Sequence, residues 1–289
     1  MKIAPFIPFG GNELDVVPLE AARAVVLPLC YEQAVSYGTG CGKGPLHLLE
    51  ASAQMESLDE ETLTPWGAAG IHTLAPLFPQ GDPETAVAQM AAAAAPVLEG
   101  GQFLLTLGGD HAVSIGPISA AAALWPDMGV LQVDAHLDLR DRWQGSRYNH
   151  ACVMRRVVDD MGLAAVQVGI RAVAPEEVEA IDRFGLNPFW AHRMDPADTG
   201  WIDAVVAALP ERVYLTIDLD GLNPAVLPGT GTPEPGGLTY RQLVALVRAV
   251  GSRKTVVAAD IVELAKIPGT QVSEYTAARI AAKILLFCL

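Results

Sequence analysis

No apolar run in this sequence approaches the ~18–20 residues that spanning a bilayer requires. The longest stretches, residues 91–98 and 284–289, are short enough to be core helix. The opening MKIAPFIPFGGNELD lacks a basic segment followed by a long apolar one, so a cytoplasmic location is expected, with no membrane partner. Cysteine is scarce. Cys30, Cys41, Cys152 and Cys288 form no CxxC pair, which excludes a disulfide framework and a thiolate zinc site and suits a reducing compartment. Positive charge is scarce as well. With 19 Lys+Arg against 33 Asp+Glu the formal net charge is −14, the reverse of the balance with which nucleic-acid binders neutralise phosphate. Such a field draws small cations toward the protein, although by itself it serves solubility equally well.

What the chain does have is material for a core: hydrophobic residues make up 51% of its 289 positions. Compact Val/Leu/Ile-rich runs at 24–29, 103–107, 129–133, 166–169, 213–217 and 255–259 lack polar/apolar alternation and predict buried parallel strands. Helical stretches are expected at 83–98, 116–124, 152–161, 175–184, 201–209, 239–250 and 274–286. Their alternation with strands implies an α/β fold, an open, mostly parallel sheet with helices on both faces. No linker, repeat or charge block divides the chain, so residues 1–289 read as one domain. The acidic, proline-punctuated stretch 56–82 reads as a surface excursion.

Polar residues cluster where these runs end. The 103–107 run leads into Gly108-Gly109-Asp110-His111, and the 129–133 run into Asp134-Ala135-His136-Leu137-Asp138. The 213–217 run ends at Asp218-Leu219-Asp220, and the 255–259 run is followed by Asp260 and Glu263. Ligands of open α/β sheets bind beyond the carboxyl ends of the strands. An extended Asp-x-His-x-Asp points three ligands to one side, as Asp218 and Asp220 point two. Taken singly, each segment is equally a turn or a helix cap. Together they are not: three of six histidines, His111, His136 and His150, fall in or near these strand ends. Four Asp and two His make an oxygen-rich set without sulfur, suited to Mn²⁺, with Fe, Co, Ni or Zn as competitors, and too large for one structural zinc. Two ions sharing bridging carboxylates would use all six.

These segments resemble the ureohydrolase family of arginases, agmatinases and other guanidino hydrolases. The likeness extends to Ser36-Tyr37-Gly38, Gly44-Pro45 and Gln167-Val168-Gly169-Ile170-Arg171. PGTGTPEPGGL at 228–238 and Tyr148-Asn149-His150-Ala151 are more similar to the agmatinase branch, including enzymes acting on aminopropylagmatine. The resemblance implies a three-layer α/β/α sandwich, a trimer or hexamer, and a small cationic guanidino substrate. It also implies two Mn²⁺, with His111 and Asp138 on one and His136 and Asp220 on the other, Asp134 and Asp218 bridging. Asp138 would orient the attacking water and take its proton, His150 would move a proton to the leaving amine, and Glu263 would hold the guanidinium.

The chain departs from the family pattern at three places: Asn223 where Asp is usual, Asn149 where Ser is common, and the stretch Leu264-Ala265-Lys266 after the glutamate. The first is expected to affect metal affinity or loop order, the last the pocket wall. Other guanidino or formimino hydrolases remain as rivals, as do a binuclear phosphoesterase and a non-catalytic metal-binding relative. Arg140, Arg142 and Arg147 are available to a carboxylate tail, or to solvent.

Overall fold

The structure is a computed structural model that describes residues 6–15, 17–33, 36–195 and 198–289. Eight strands form one sheet, all pairs parallel: β1 Ala24–Leu29, β2 Ile71–Thr73, β3 Phe103–Gly108, β4 Gly129–Val133, β5 Ala164–Ile170, β6 Phe189–Trp190, β7 Arg212–Asp218 and β8 Thr255–Val262. Their order is β2-β1-β3-β8-β7-β4-β5-β6. Helices α1 Gly44–Ser52, α6 Gly200–Ala208, α7 Tyr240–Arg253 and α8 Val272–Phe287 share one apolar cluster with the sheet. The other face packs against α2 Pro83–Glu99, α3 Ile115–Leu124, α4 Val153–Arg155 and α5 Pro175–Phe184. Helices on both faces explain why the strands show no polar/apolar alternation. Every residue of β1, β3 and β4 is buried.

Local signals set several helix starts. The Asp82 side chain accepts from Thr85 N ahead of Pro83 at the start of α2, and Thr239 with Gln242 closes a capping box on α7. The central strands β3, β8, β7 and β4 all end on the same crest, where the polar segments begin.

The structure corrects four expectations. Stretch 56–82 carries the edge strand β2, whose three residues are too few to make a buried run. It also carries Asp59, 2% exposed and paired with the equally buried Lys283 of α8. The helix expected over 152–161 is a short α4 that continues as a π turn, Arg156–Asp160. β8 runs past 259 to Val262, so Asp260 lies within the strand. Finally, α1 and the two-residue β6 were not anticipated: no element was assigned at Gly44-Pro45, which opens α1.

Candidate metal centre and cleft

Beneath the crest a row of polar side chains crosses the apolar sheet at one level. Thr106 of β3 is in register with Asp260 of β8, Asp260 with Thr216 of β7, Thr216 with Gln132 of β4, and Gln132 with Gln167 of β5. None is more than 2% exposed, so most of their polar atoms pair with one another, Thr106 Oγ1 and Gln167 Oε1 being left without a partner among the described residues. Asp260 accepts from the hydroxyls of Thr216 (2.6 Å) and Tyr214 (2.9 Å). Thr216 has then spent its proton, so its oxygen accepts from His111 Nε2 at 2.9 Å. In the neutral ring that fixes the tautomer and puts the lone pair on His111 Nδ1. On the other side, Gln167 donates to Gln132 (2.6 Å), and Gln132 donates to Asp134 Oδ2 (2.7 Å). The row orients the crest residues from below, as outer partners of metal ligands do.

Above it the six expected side chains meet. His111 Nδ1 lies 2.9 Å from Asp138 Oδ2, 3.1 Å from Asp134 Oδ2 and 3.4 Å from Asp218 Oδ2. His136 Nδ1 lies 3.0 Å from Asp220 Oδ2 and 3.5 Å from Asp134 Oδ1. Asp134 therefore stands between the two imidazoles, while Asp218 groups with His111. Backbone donors aim the acids: His136 N at Asp134 Oδ1 (2.6 Å), Asp220 N at Asp218 Oδ1 (2.9 Å) and Ala135 N at Asp220 Oδ1 (3.0 Å).

The loops that carry these groups are tightly constrained. Asp110 N donates to Tyr31 O and Glu263 N to Gly109 O. Gly109 admits no side chain, because a Cβ there would fall 1.8 Å from the Tyr31 carbonyl oxygen. The Asp134–Asp138 run is not extended to its end: Asp138 sits at φ 50° and Glu263 at φ 66°, left-handed backbone that costs a non-glycine residue free energy.

Electrostatics call for a cation. Burial, then Asp220, Asp134 and Glu263, hold the Asp218 carboxyl well above its ordinary range. Burial and Asp134 push Asp138 up to about 7. Burial and Asp110 push Glu263 to about 8. Burial opposes an imidazolium at His136, yet Asp134 and Asp220 drive it up to about 12. His111 Nδ1 is buried within 3.4 Å of three carboxylate oxygens, and Asp134 and Asp138 hold its imidazole well above the ordinary pKa although burial opposes the charge. The cluster thus calls for positive charge, from a proton on the ring or, with the ring neutral, from a cation between its lone pair and the carboxylates. The donor groups His111/Asp134/Asp218 and Asp134/His136/Asp220 share Asp134, so the residues present fit two divalent ions.

The cage opens into a cleft of about 250 Å³ lined by Asp138, His150, Glu263, Ser36, Trp143 and Thr232, among others. Glu263 Oε1 accepts from His111 N at 2.8 Å. His150 Nε2 is 2.9 Å from Ser36 Oγ. Arg140, which also lines the cleft, pairs with Glu176 and lies 4.1 Å over the Trp143 ring.

Residues 22–287 match the model of the Arginase family. The chain belongs to the arginase family. It is 40% identical over 273 residues to the N(1)-aminopropylagmatine ureohydrolase of Synechocystis sp., covering 91% of this chain and 88% of that one. It is 32% identical over 283 residues to the agmatinase of Pyrococcus horikoshii, covering 96% and 94%. Among solved structures, the agmatine ureohydrolase of Thermoplasma volcanium superposes with a TM-score of 0.87 at 27% identity, over 99% of this chain and 95% of that one. The three-layer arginase-like fold expected from the sequence is the one observed.

Against the arginase-family pattern, the departures fall on structural work. Asn223 orders its loop: Oδ1 accepts from Ala225 N, and its carbonyl accepts from Val226 N and Leu227 N. Asn149 accepts from Ala151 N and caps the turn that carries His150. Residues 264–266 do not line the cleft. Leu264 is in the core, Ala265 N donates to Gly229 O, and Lys266 pairs with Glu274. Sequence reading missed the whole transverse row, and with it the role of Asp260 as an anchor of His111 through Thr216. It also missed Glu177. The signal for the row was visible: a Thr or Gln interrupts four of the apolar runs, and Asp260 directly follows a fifth.

Proposed function

We propose that this arginase-family protein hydrolyses the guanidino group of a cationic amine, agmatine or its aminopropyl derivative, to urea and the corresponding amine. One observation carries the reading. A cage of four carboxylates and two imidazoles opens into a cleft with no uncommitted cation for a carboxylate tail. Arg140, the one arginine or lysine among the described lining residues, is engaged by Glu176 and Trp143. Arg142 donates to Gly145 O, and Arg147 pairs with Asp160. The names of the relatives, ureohydrolases of aminopropylagmatine and agmatine, agree with a cationic far end.

We assign Mn²⁺ to the cage because the set is oxygen-rich with two imidazoles; when bound, two such ions make a water available as a nucleophile near neutral pH. Asp138, at the cleft floor, orients that water toward the guanidinium carbon and accepts its proton. Glu263 has lone pairs left after taking the His111 N–H and pairs with the guanidinium, whose charge stabilises the carboxylate form. His150 delivers a proton to the departing amine. Four carboxylates balance two divalent ions, and Glu263 leaves the site net negative, which favours a cation over a phosphate ester. A cytoplasmic setting and a homo-oligomer of three or six copies belong to the same proposal; no helix among the described residues is long and apolar enough to cross a membrane.

The test is urea release by Mn²⁺-loaded protein from agmatine, aminopropylagmatine, arginine and guanidinobutyrate in parallel. Urea from either of the first two supports the reading. Release only from the last two would keep the chemistry and overturn the specificity, and no urea from any would overturn both.

A further inference from the structure

Behind the rim of the cleft, outside the cage, lies a closed ring of four charges. Arg156 is 1% exposed and heads the fully buried side chains by size. A guanidinium is kept there only if it is paired. Its Nη2 donates to Asp141 Oδ1 at 2.6 Å and its Nη1 to Asp160 Oδ2 at 2.8 Å. Asp160 Oδ1 in turn accepts from Arg147 Nη2 at 2.9 Å, and Arg147 lies 3.6 Å from Asp141 Oδ1. Cations and anions alternate around the ring. None of the four side chains lines the cleft or belongs to the cage donor groups.

Two members, Asp141 and Arg147, bracket a tight hairpin. Trp143 and Ser146 exchange both backbone hydrogen bonds at 2.9 Å. Between them Gln144 (φ 47°) and Gly145 (φ 83°) are both left-handed, as a two-residue hairpin turn requires. The turn tip is exposed, while Trp143 reaches the cleft lining with Arg140 stacked on its ring. Beyond the hairpin the chain is fastened again by Arg140 N donating to Ala151 O, next to His150. The opposite side of the ring is the π turn, in which Met161 N donates to Arg156 O. Such turns recur at functional sites.

We propose that this ring is a positioning device for substrate recognition: Arg156, through Asp141 and Arg147, fixes the Trp143 hairpin that walls the outer cleft against the substrate's far end. The choice of substrate rests on the function proposed above; the ring itself does not. Loosening the hairpin removes binding made to the tail in ground and transition states alike, which raises KM and spares kcat.

Asp141→Asn and Arg147→Gln probe the more exposed side of the ring, where the side chains are 53% and 39% accessible, and each leaves Arg156 its pair with Asp160. Each is expected to raise KM for agmatine about tenfold with kcat changed less than about twofold. The double variant is expected to be no worse than either single one, because both break the same unit. The inhibition constant of the bare guanidinium ion, which has no tail, should hardly move. Backbone hydrogen exchange read by mass spectrometry should quicken across residues 141–149 and stay unchanged in β3, β4, β7 and β8. An unchanged KM, an equal loss for the tail-less ion, or unchanged exchange across 141–149 would each overturn the proposal. If the unsubstituted protein releases no urea from agmatine, the proposed function fails, while the exchange measurement still decides whether the ring holds the hairpin.

Discussion

Thr216 joins the transverse row to the cage, and Thr216→Val removes its hydroxyl with little change in volume. Two buried groups lose their partners: His111 Nε2–H, now 2.9 Å from an acceptor, and Asp260 Oδ1, now 2.6 Å from a donor. Both residues are at most 1% exposed, so water does not replace the lost bonds. An orphaned buried polar group costs about 1–3 kcal/mol. Asp260 keeps Tyr214 and, with burial already raising its carboxyl, relieves part of its share by holding a proton. The fold should therefore lose roughly 2–4 kcal/mol. Without its acceptor the His111 ring is free to rotate or change tautomer, and metal affinity should fall about 10–100-fold, as for other lost outer partners of metal ligands. Urea-induced unfolding of the metal-free protein reads the first effect, and Mn²⁺ titration calorimetry the second. Thr216→Ser keeps the hydroxyl and should stay near the parent in metal affinity. If Thr216→Val binds two Mn²⁺ as tightly as the parent, the row is packing and does not govern the cage.

Three further outcomes follow from the same geometry. Asp134→Ala, which removes the carboxylate between both imidazoles, should abolish metal content and urea release together; full turnover would overturn its bridging role. Because Asp138 and Glu263 titrate at about 7 and about 8 without metal, the metal-free fold holds protons there that the unfolded chain, at about 4, does not. That stability is present at acid pH and is lost as pH rises toward 8, so the gain in Tm on adding Mn²⁺ should grow from pH 5 to pH 8; a constant gain refutes the assignment. Lys283→Met strands the buried Asp59 that it pairs with, alongside Glu60 and Glu61, and should cost about 3 kcal/mol in denaturant unfolding. Burial opposes it, but Lys283 holds the Asp59 carboxyl below its usual range. The parent therefore loses this contribution as pH falls below about 4, and the variant should show a shallower acid limb.

The fold was legible wherever one physical rule dominated. The runs at 24–29, 103–107 and 129–133 became strands because burial on both faces leaves a sequence nothing to alternate. Edges escaped for the converse reason. β2 is three residues and β6 two, held by pairing to neighbours rather than by their own apolar content. The 152–161 helix was misjudged because composition carries helical tendency without saying that the buried pairs of Arg156 would be accommodated in a π turn.

The convergence at the crest was legible for a different reason: Asp and His at alternating positions after an apolar strand serve no packing purpose, so their cost points to a ligand. The row below it serves packing no better, yet it was overlooked. A single Thr, Gln or Asp in a strand reads as noise until register puts five of them side by side. Register is a tertiary fact, set by which strands become neighbours, and order β3-β8-β7-β4-β5 is not the order of the chain. The strained backbone at Asp138 and Glu263 was hidden in the same way. Left-handed φ at an acid contradicts local preference and persists only because surrounding hydrogen bonds, such as Glu263 N to Gly109 O, over-determine it. Of the four non-glycine residues with left-handed φ among those described, Leu63 and Gln144 are exposed, while the other two are the acids proposed to handle water and guanidinium, where local preference yields to a side chain held for chemistry.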